Sequence, residues 1–305
     1  MEYQEFLCVV EKKMNQKLKG GITASIHIAV KNNGKIKRGI IVEDPSVNIS
    51  PTIYLEDFYE RFQKGESLEE ITDTLMDFYE AVRYEKSWDT TGMESYEGIK
   101  DKIVFKMIHR NRNQELLSVV PHIDLLDLSI VFYVLLEVKQ DGTATMLIRN
   151  EHLKKWGIED KELFPTACAN SVHLLPAQLY TMQEIVGEVF DSDKKTGESH
   201  NLLKHPEQKK RDVMFVLTNT IRSFGAACMM YPGILETIGK MLGEDYYILP
   251  SSIHEVIIVP KSQGFTQEEM TKMVQEVNTA QVEEEEQLSD HAYCYDRKKK
   301  QLIGE

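Results

Sequence analysis

Cysteine is scarce: Cys8, Cys168, Cys228 and Cys294 are the only four in 305 residues, and no two form a CxxC pair. That spacing argues against a disulfide scaffold and against a four-thiolate zinc site, and it fits a reducing compartment. Long apolar runs are missing too. No stretch approaches the roughly 18 residues that a membrane-spanning helix needs. The opening MEYQEFLCVVEKKMNQKLK starts with an acid and is too broken for a secretory leader. A cytoplasmic protein with no membrane partner is expected. Positive charge is also in short supply, since 36 basic side chains stand against 49 acidic ones for a formal charge of -13. Such a chain repels phosphate backbones at long range, so nucleic acid is not the expected partner. Its two basic clusters, Lys209-Lys210-Arg211 and Arg297-Lys298-Lys299-Lys300, are bordered by acids and read as solvated loops.

Signatures of catalysis and cofactor binding are equally absent. There is no GxGxxG, no phosphate loop with its lysine, no GxSxG elbow, and no HExxH or HxH pair. Asp191-Ser192-Asp193 opens like a calcium loop, but Lys195 takes the third ligand position, Thr196 replaces the turn glycine and Leu202 replaces the closing glutamate. No metal and no cofactor is expected. Cys168 and Cys228 sit among small and apolar neighbours, the setting of an inert buried thiol.

What is present is a folded chain: 42% hydrophobic and 28% charged residues exclude both a disordered and a fibrous protein. Phe6, Val9, Val10, Met14 and Leu18 recur at helical spacing before Gly20-Gly21. A hairpin follows over residues 22–42, with His27 on its polar face. Ser50-Pro51 predicts a capped helix carrying Leu55, Phe58, Tyr59 and Phe62, and Ser67-Leu68-Glu69-Glu70 is a capping box for a second. Residues 84–98 turn polar and read as a joint.

Beyond it, 103–108 reads as a strand, 114–120 as a short helix, and 125–138 as a central strand buried on both faces. A turn at Gln140-Asp141-Gly142 leads into 143–148, and Asn150 caps a helix that stops at Gly157. Asp160 opens another helix, bent or restarted at Pro165. Thr181-Met182-Gln183-Glu184 is a further capping box, and 191–212 is a polar loop. Residues 213–218 and 226–231 read as a strand pair, 234–242 as a helix, 246–249 and 256–259 as strands. Thr266-Gln267-Glu268-Glu269 opens a last helix, Glu283 to Glu286 reads as a solvated acidic run, and 291–295 with 301–303 as a final hairpin.

Strands arriving as hairpins and helices arriving in pairs predict an α+β fold, a mixed and largely antiparallel sheet with helices packed on it. The expected division is residues 1–90, an N-terminal helix, hairpin and helical hairpin, and 98–305, an α+β core. The segment that concentrates polar chemistry is Leu249-Pro250-Ser251-Ser252-Ile253-His254-Glu255-Val256. It sets two hydroxyls, an imidazole and a carboxylate in a corner between apolar strands, which makes Ser252, His254 and Glu255 the candidate catalytic residues of a hydrolase or other small-molecule enzyme. Against this, Ser-Ser after proline is ordinary turn chemistry, and adjacent strand residues point to opposite faces, so His254 and Glu255 do not readily pair.

Asn48-Ile49-Ser50-Pro51-Thr52-Ile53-Tyr54-Leu55, Leu126-Asp127-Leu128, Phe224-Gly225-Ala226-Ala227, Tyr231-Pro232-Gly233 and Leu249 to Ile257 resemble an uncharacterised bacterial family, a domain of unknown function, across nearly the whole chain. A lesser similarity to a second uncharacterised bacterial family lies in residues 126–170 and 249–252. The resemblance implies a shared fold and a cytoplasmic bacterial setting, and it transfers no site. The function that the sequence favours is a binding or interaction module without catalytic activity, for a protein or small-molecule partner it does not name, with the enzyme at residues 251–255 as the alternative.

Overall fold

The structure is a computed structural model and describes residues 1–88, 90–139, 142–190, 200–208 and 212–304. The expected turn at Gln140-Asp141, the calcium-like start at Asp191 and the Lys209 to Arg211 cluster lie outside the described residues. The fold is α+β, and every strand pairing among the described residues is antiparallel. The chain divides into two compact units, Met1–Thr91 and Gly92–Glu305.

In the first unit, α1 (Tyr3–Lys17) covers a three-stranded sheet of β1 (Thr23–Val30), β2 (Ile36–Glu43) and β3 (Thr52–Tyr54), followed by α2 (Glu56–Gln63) and α3 (Leu68–Val82). Phe6, Val10 and Met14 of α1 meet Ile40, Val42, Leu55, Ile71 and Leu75 in one core. Asn15 ties α1 to the sheet, because its amide donates to the Ala24 carbonyl at 2.7 Å and its oxygen accepts the Ala24 N–H at 2.9 Å. The expected cap at Ser50-Pro51 is corrected. Thr52–Tyr54 pairs with β2, placing Ile53 opposite Ile40, and the helix starts only at Glu56. A β-branched and aromatic triplet with a free edge to join outweighs the local cap signal. Gly39 makes that pairing possible, since a Cβ there would lie 2.5 Å from the Ile53 carbonyl oxygen. The Ser67–Glu70 capping box forms as read.

The second unit opens with α4 (Tyr96–Ile99), β4 (Ile103–His109), α5 (Gln114–Leu117), β5 (His122–Leu125), β6 (Leu128–Lys139) and β7 (Gly142–Leu147). β6 is central, pairing with β4, β5 and β7. Its residues 128–135 are buried on both faces, as a continuous apolar run demands. The expected strand over 125–138 is broken, however, by a turn at Leu126-Asp127 in which Leu126 takes a left-handed φ of 56°. Next come α6 (Asn150–Trp156), α7 (Leu163–Leu174), β8 (Ala177–Thr181), α8 (Met182–Phe190), β9 (Phe215–Asn219), α9 (Ile234–Leu242), β10 (Tyr246–Leu249), β11 (Val256–Pro260), α10 (Gln267–Ala280), β12 (Tyr293–Asp296) and β13 (Gln301–Ile303). Pro165 sits in the first turn of α7, where its missing N–H costs no helical bond.

The six-stranded sheet runs β13-β12-β10-β11-β9-β8. Alternation along β10 serves two cores. Tyr246 and Ile248 join the large one, which also holds Phe105, Ile130 and Phe132 of the four-stranded sheet, whereas Tyr247 and Leu249 face Met270 and Val274 of α10. The expected strand over 226–231 is instead a 3-10 helix, Gly225–Met230. Its entry explains why. Phe224 is left-handed at φ 55°, and Gly225 lies so close to β9 that a Cβ would be 2.3 Å from Thr218 Oγ1 and 2.5 Å from the His254 carbonyl oxygen.

Candidate functional site

The corner between β10 and β11 is built by two chain segments. Ile253 N–H donates to the Glu286 carbonyl at 2.8 Å, Leu288 N–H to Ser251 at 3.1 Å, and Ser289 N–H to Pro250 at 2.9 Å. The acidic run is therefore no purely solvated face: Glu283 and Glu284 are exposed, but Glu285 and Glu286 are half-buried. Ser252 is 5% exposed, and its hydroxyl accepts the His254 backbone N–H at 3.0 Å, a local serine turn.

The His254 ring is engaged elsewhere. Nδ1 accepts the Phe224 N–H at 3.3 Å, so the neutral ring carries its proton on Nε2, which lies 3.3 Å from Glu286 Oε1. The ring lies over Phe224, with centroids 5.8 Å apart and planes 22° from parallel, and Lys106 Nζ stands 4.6 Å over the same phenyl ring. The loop that presents Phe224 is held by Asn219, whose side chain accepts from Ile221 and Ser223 N–H and donates to the Ser223 carbonyl. Of the three expected residues, then, Ser252 accepts the His254 N–H and hydrogen-bonds the Glu255 carboxyl, whereas the His254 ring meets Phe224 and Glu286.

Glu255 lines a cavity of about 380 Å³ bounded by the sheet and α10, walled by Met182, Met214, Leu249, Ile257, Met273 and Val277, with Ser251 and Gln281 as neutral polar groups. Burial pushes the Glu255 carboxyl above the usual carboxylate range. Neighbouring His254, a hydrogen bond from Ser252 and Arg222 pull it back, while Glu286 adds to the rise. His254 is not among the described residues of that wall.

A second polar cluster went unmarked in the sequence. Asp127, in the turn between β5 and β6, accepts the Ser289 hydroxyl at 2.7 Å and the Tyr293 hydroxyl. His109 Nε2 lies 3.9 Å from Asp127, and its Nδ1 accepts the Arg112 N–H at 3.3 Å. Arg112 in turn reaches Gln287 at 2.9 Å and Asp290 at 2.5 Å, beside a polar cavity of about 280 Å³. No local spacing announces these partners, because they come from opposite ends of the unit. Cys168 and Cys228 are buried, and burial pushes the Cys228 thiol up to about 12, far from a reactive thiolate. His27 is exposed on β1, and His205 lies 3.4 Å from Glu207. Among the described residues no group of three His, Cys, Asp or Glu side chains is placed to hold a metal, and no helix is long and apolar enough to cross a membrane.

Set against known proteins, residues 3–297 match the profile of a family of unknown function, DUF5688. Neither the curated proteins nor the solved structures contain a match to the chain.

Proposed function

The chain belongs to DUF5688, a family of unknown function, and from that premise we propose that it is a small-molecule-binding module whose site is the cavity beside Glu255. The observation that carries this reading is one carboxyl group, raised in pKa by burial, set in a methionine-walled cavity of about 380 Å³. That volume lies within the roughly 300–1,000 Å³ of ligand pockets, and apolar walls with a few convergent polar groups are their usual lining. The enzyme alternative would need Ser252 or another hydroxyl on the His254 ring. It finds little support in a serine whose oxygen accepts a backbone N–H and an imidazole whose two nitrogens face Phe224 and Glu286.

A thermal-shift panel of small apolar and amphiphilic molecules tests this, with Val277→Trp filling the cavity and His254→Ala disturbing the corner. Ligands at a hundredfold excess over Kd should add about 2.7 kcal/mol to stability. The response should vanish in Val277→Trp and persist in His254→Ala. A response lost only in His254→Ala, or ester turnover that depends on Ser252, would overturn the assignment in favour of the enzyme.

A further inference from the structure

We infer that the ligand of the Glu255 cavity is a cationic amphiphile, a basic nitrogen carried on an apolar body. This rests on the reading of that cavity as a binding site and names the chemistry it selects. Of the described residues forming the wall, Glu255 is the one ionisable group; the remainder are apolar, apart from the hydroxyl of Ser251 and the amide of Gln281. A phosphate, sulfate or carboxylate entering there would meet no cation and would be forced against a carboxyl group. An ammonium would meet a hydrogen-bonding counter-charge, with the amide and hydroxyl free to accept its remaining protons.

The charges beyond the wall agree with this selection. The groups that act on Glu255 are its neighbour His254, the hydroxyl of Ser252, which hydrogen-bonds it, and Glu286 and Arg222 from elsewhere in the chain. Arg222, the fixed cation among them, is already paired with Glu188 at 2.6 Å. His254 has Glu286 against its Nε2 at 3.3 Å. An arriving ammonium therefore competes with no unneutralised positive neighbour, and the formal charge of -13 favours the approach of cations over anions. Burial raises the cost of ionising Glu255 while the cavity is empty, so a neutral amphiphile is tolerated and a cation is rewarded. Met182, Met214 and Met273 give the apolar end its character: unbranched, polarizable side chains that adapt to aromatic or aliphatic bodies rather than to one shape.

Three probes that share one apolar body separate the possibilities: 4-phenylbutylamine, 4-phenylbutanol and 4-phenylbutyrate, titrated calorimetrically into the full chain. The amine should bind roughly tenfold or more tightly than the alcohol, a difference of about 1.4 kcal/mol, and the acid should bind more weakly than both. Glu255→Gln, which keeps the shape and removes the charge, should bring the amine down to the affinity of the alcohol and leave the alcohol unchanged. Val277→Trp should abolish binding of both. If the alcohol or the acid binds the wild-type chain as well as the amine does, the cationic selection is overturned while the cavity stands as a site. If none of the three binds, the cavity itself is overturned and the selection falls with it.

Discussion

Asp127 holds two buried hydroxyls at once, those of Ser289 and Tyr293, which are 0% and 1% exposed. Asp127→Ala strands both donors, and a buried donor without an acceptor costs about 1–3 kcal/mol. Ser289 has a poorer second acceptor in the His291 carbonyl at 3.4 Å, so a total of about 2–4 kcal/mol is expected from urea unfolding, with Tyr293→Phe costing less. A loss below about 1 kcal/mol would remove this carboxylate from the forces that hold the unit together. His109, 3.9 Å away, sets a pH dependence. Burial first, and the charge of Arg112 second, keep its pKa below the ordinary imidazole value of 6.5, against the pull of Asp127 and Asp290. The folded chain thus holds the ring neutral where the unfolded chain would protonate it. Stability is complete above the unfolded pKa and falls as pH drops below it, by at most about 1.4 kcal/mol per pH unit, until the folded pKa is reached. Comparing His109→Gln with wild type from about pH 7.5 down to about pH 5 should show a smaller loss in the variant. Equal losses would mean that other groups govern the acid limb.

Elements differ in how far their own residues dictate them. Capping boxes are local, and all three read from sequence are present: Ser67 with Glu70, Thr181 with Glu184, and Thr266 with Glu269. The Gly225–Met230 helix is the opposite case. Ala-Ala-Cys-Met-Met suits a buried strand by composition, but the close approach of Gly225 to β9 and the left-handed Phe224 turn the chain into a 3-10 helix instead. The β5–β6 turn was hidden for the same reason: Leu126 is an unusual residue at positive φ, and the turn is held from outside, Arg110 N–H donating to the Asp127 carbonyl at 2.8 Å. The candidate site divides along the same line. Its corner at Ser251 to Glu255 was legible as a concentration of polar groups, whereas Phe224, 30 residues from His254, and Glu286 were brought there by tertiary pairing that no spacing records. Gly225→Ala tests how much the element depends on that approach. The added methyl meets Thr218 Oγ1 and two backbone groups, the His254 carbonyl and Asn219 N–H, and the backbone cannot move aside as a side-chain end can. A destabilisation of about 1–3 kcal/mol is expected in chemical unfolding. It should be accompanied by a shifted His254 imidazole resonance, since Phe224 N–H and the His254 carbonyl flank the same contact. An unchanged midpoint and resonance would show that the entry to the helix has slack.

At the scale of the whole chain, the two compact units carry separate cores: Phe6, Val10, Ile40 and Leu75 belong to one, Phe105, Phe132, Phe215 and Ile258 to the other. Cooperative unfolding follows the extent of a shared core, so each unit is expected to melt as its own transition. Single substitutions can assign the transitions. In the first unit, the Ser67 hydroxyl accepts the Glu70 N–H at 3.2 Å and donates to its carboxylate at 2.8 Å, and loss of such a cap costs about 1 kcal/mol. In a unit of this size, that lowers a melting temperature by roughly 4–8 °C. In the second unit, Val256 is 0% exposed in the large core, and Val256→Ala removes packed methyl groups at a cost of about 1–3 kcal/mol; in a larger unit this moves the transition by roughly 2–4 °C per kcal/mol. Scanning calorimetry should therefore resolve two heat-absorption peaks, Ser67→Ala shifting one and Val256→Ala the other. A ligand of the Glu255 cavity should raise only the peak that Val256→Ala lowers, because every described residue of that cavity lies beyond Gly92. One peak that moves as a whole with either substitution would mean that the chain unfolds as a single cooperative body despite its two cores.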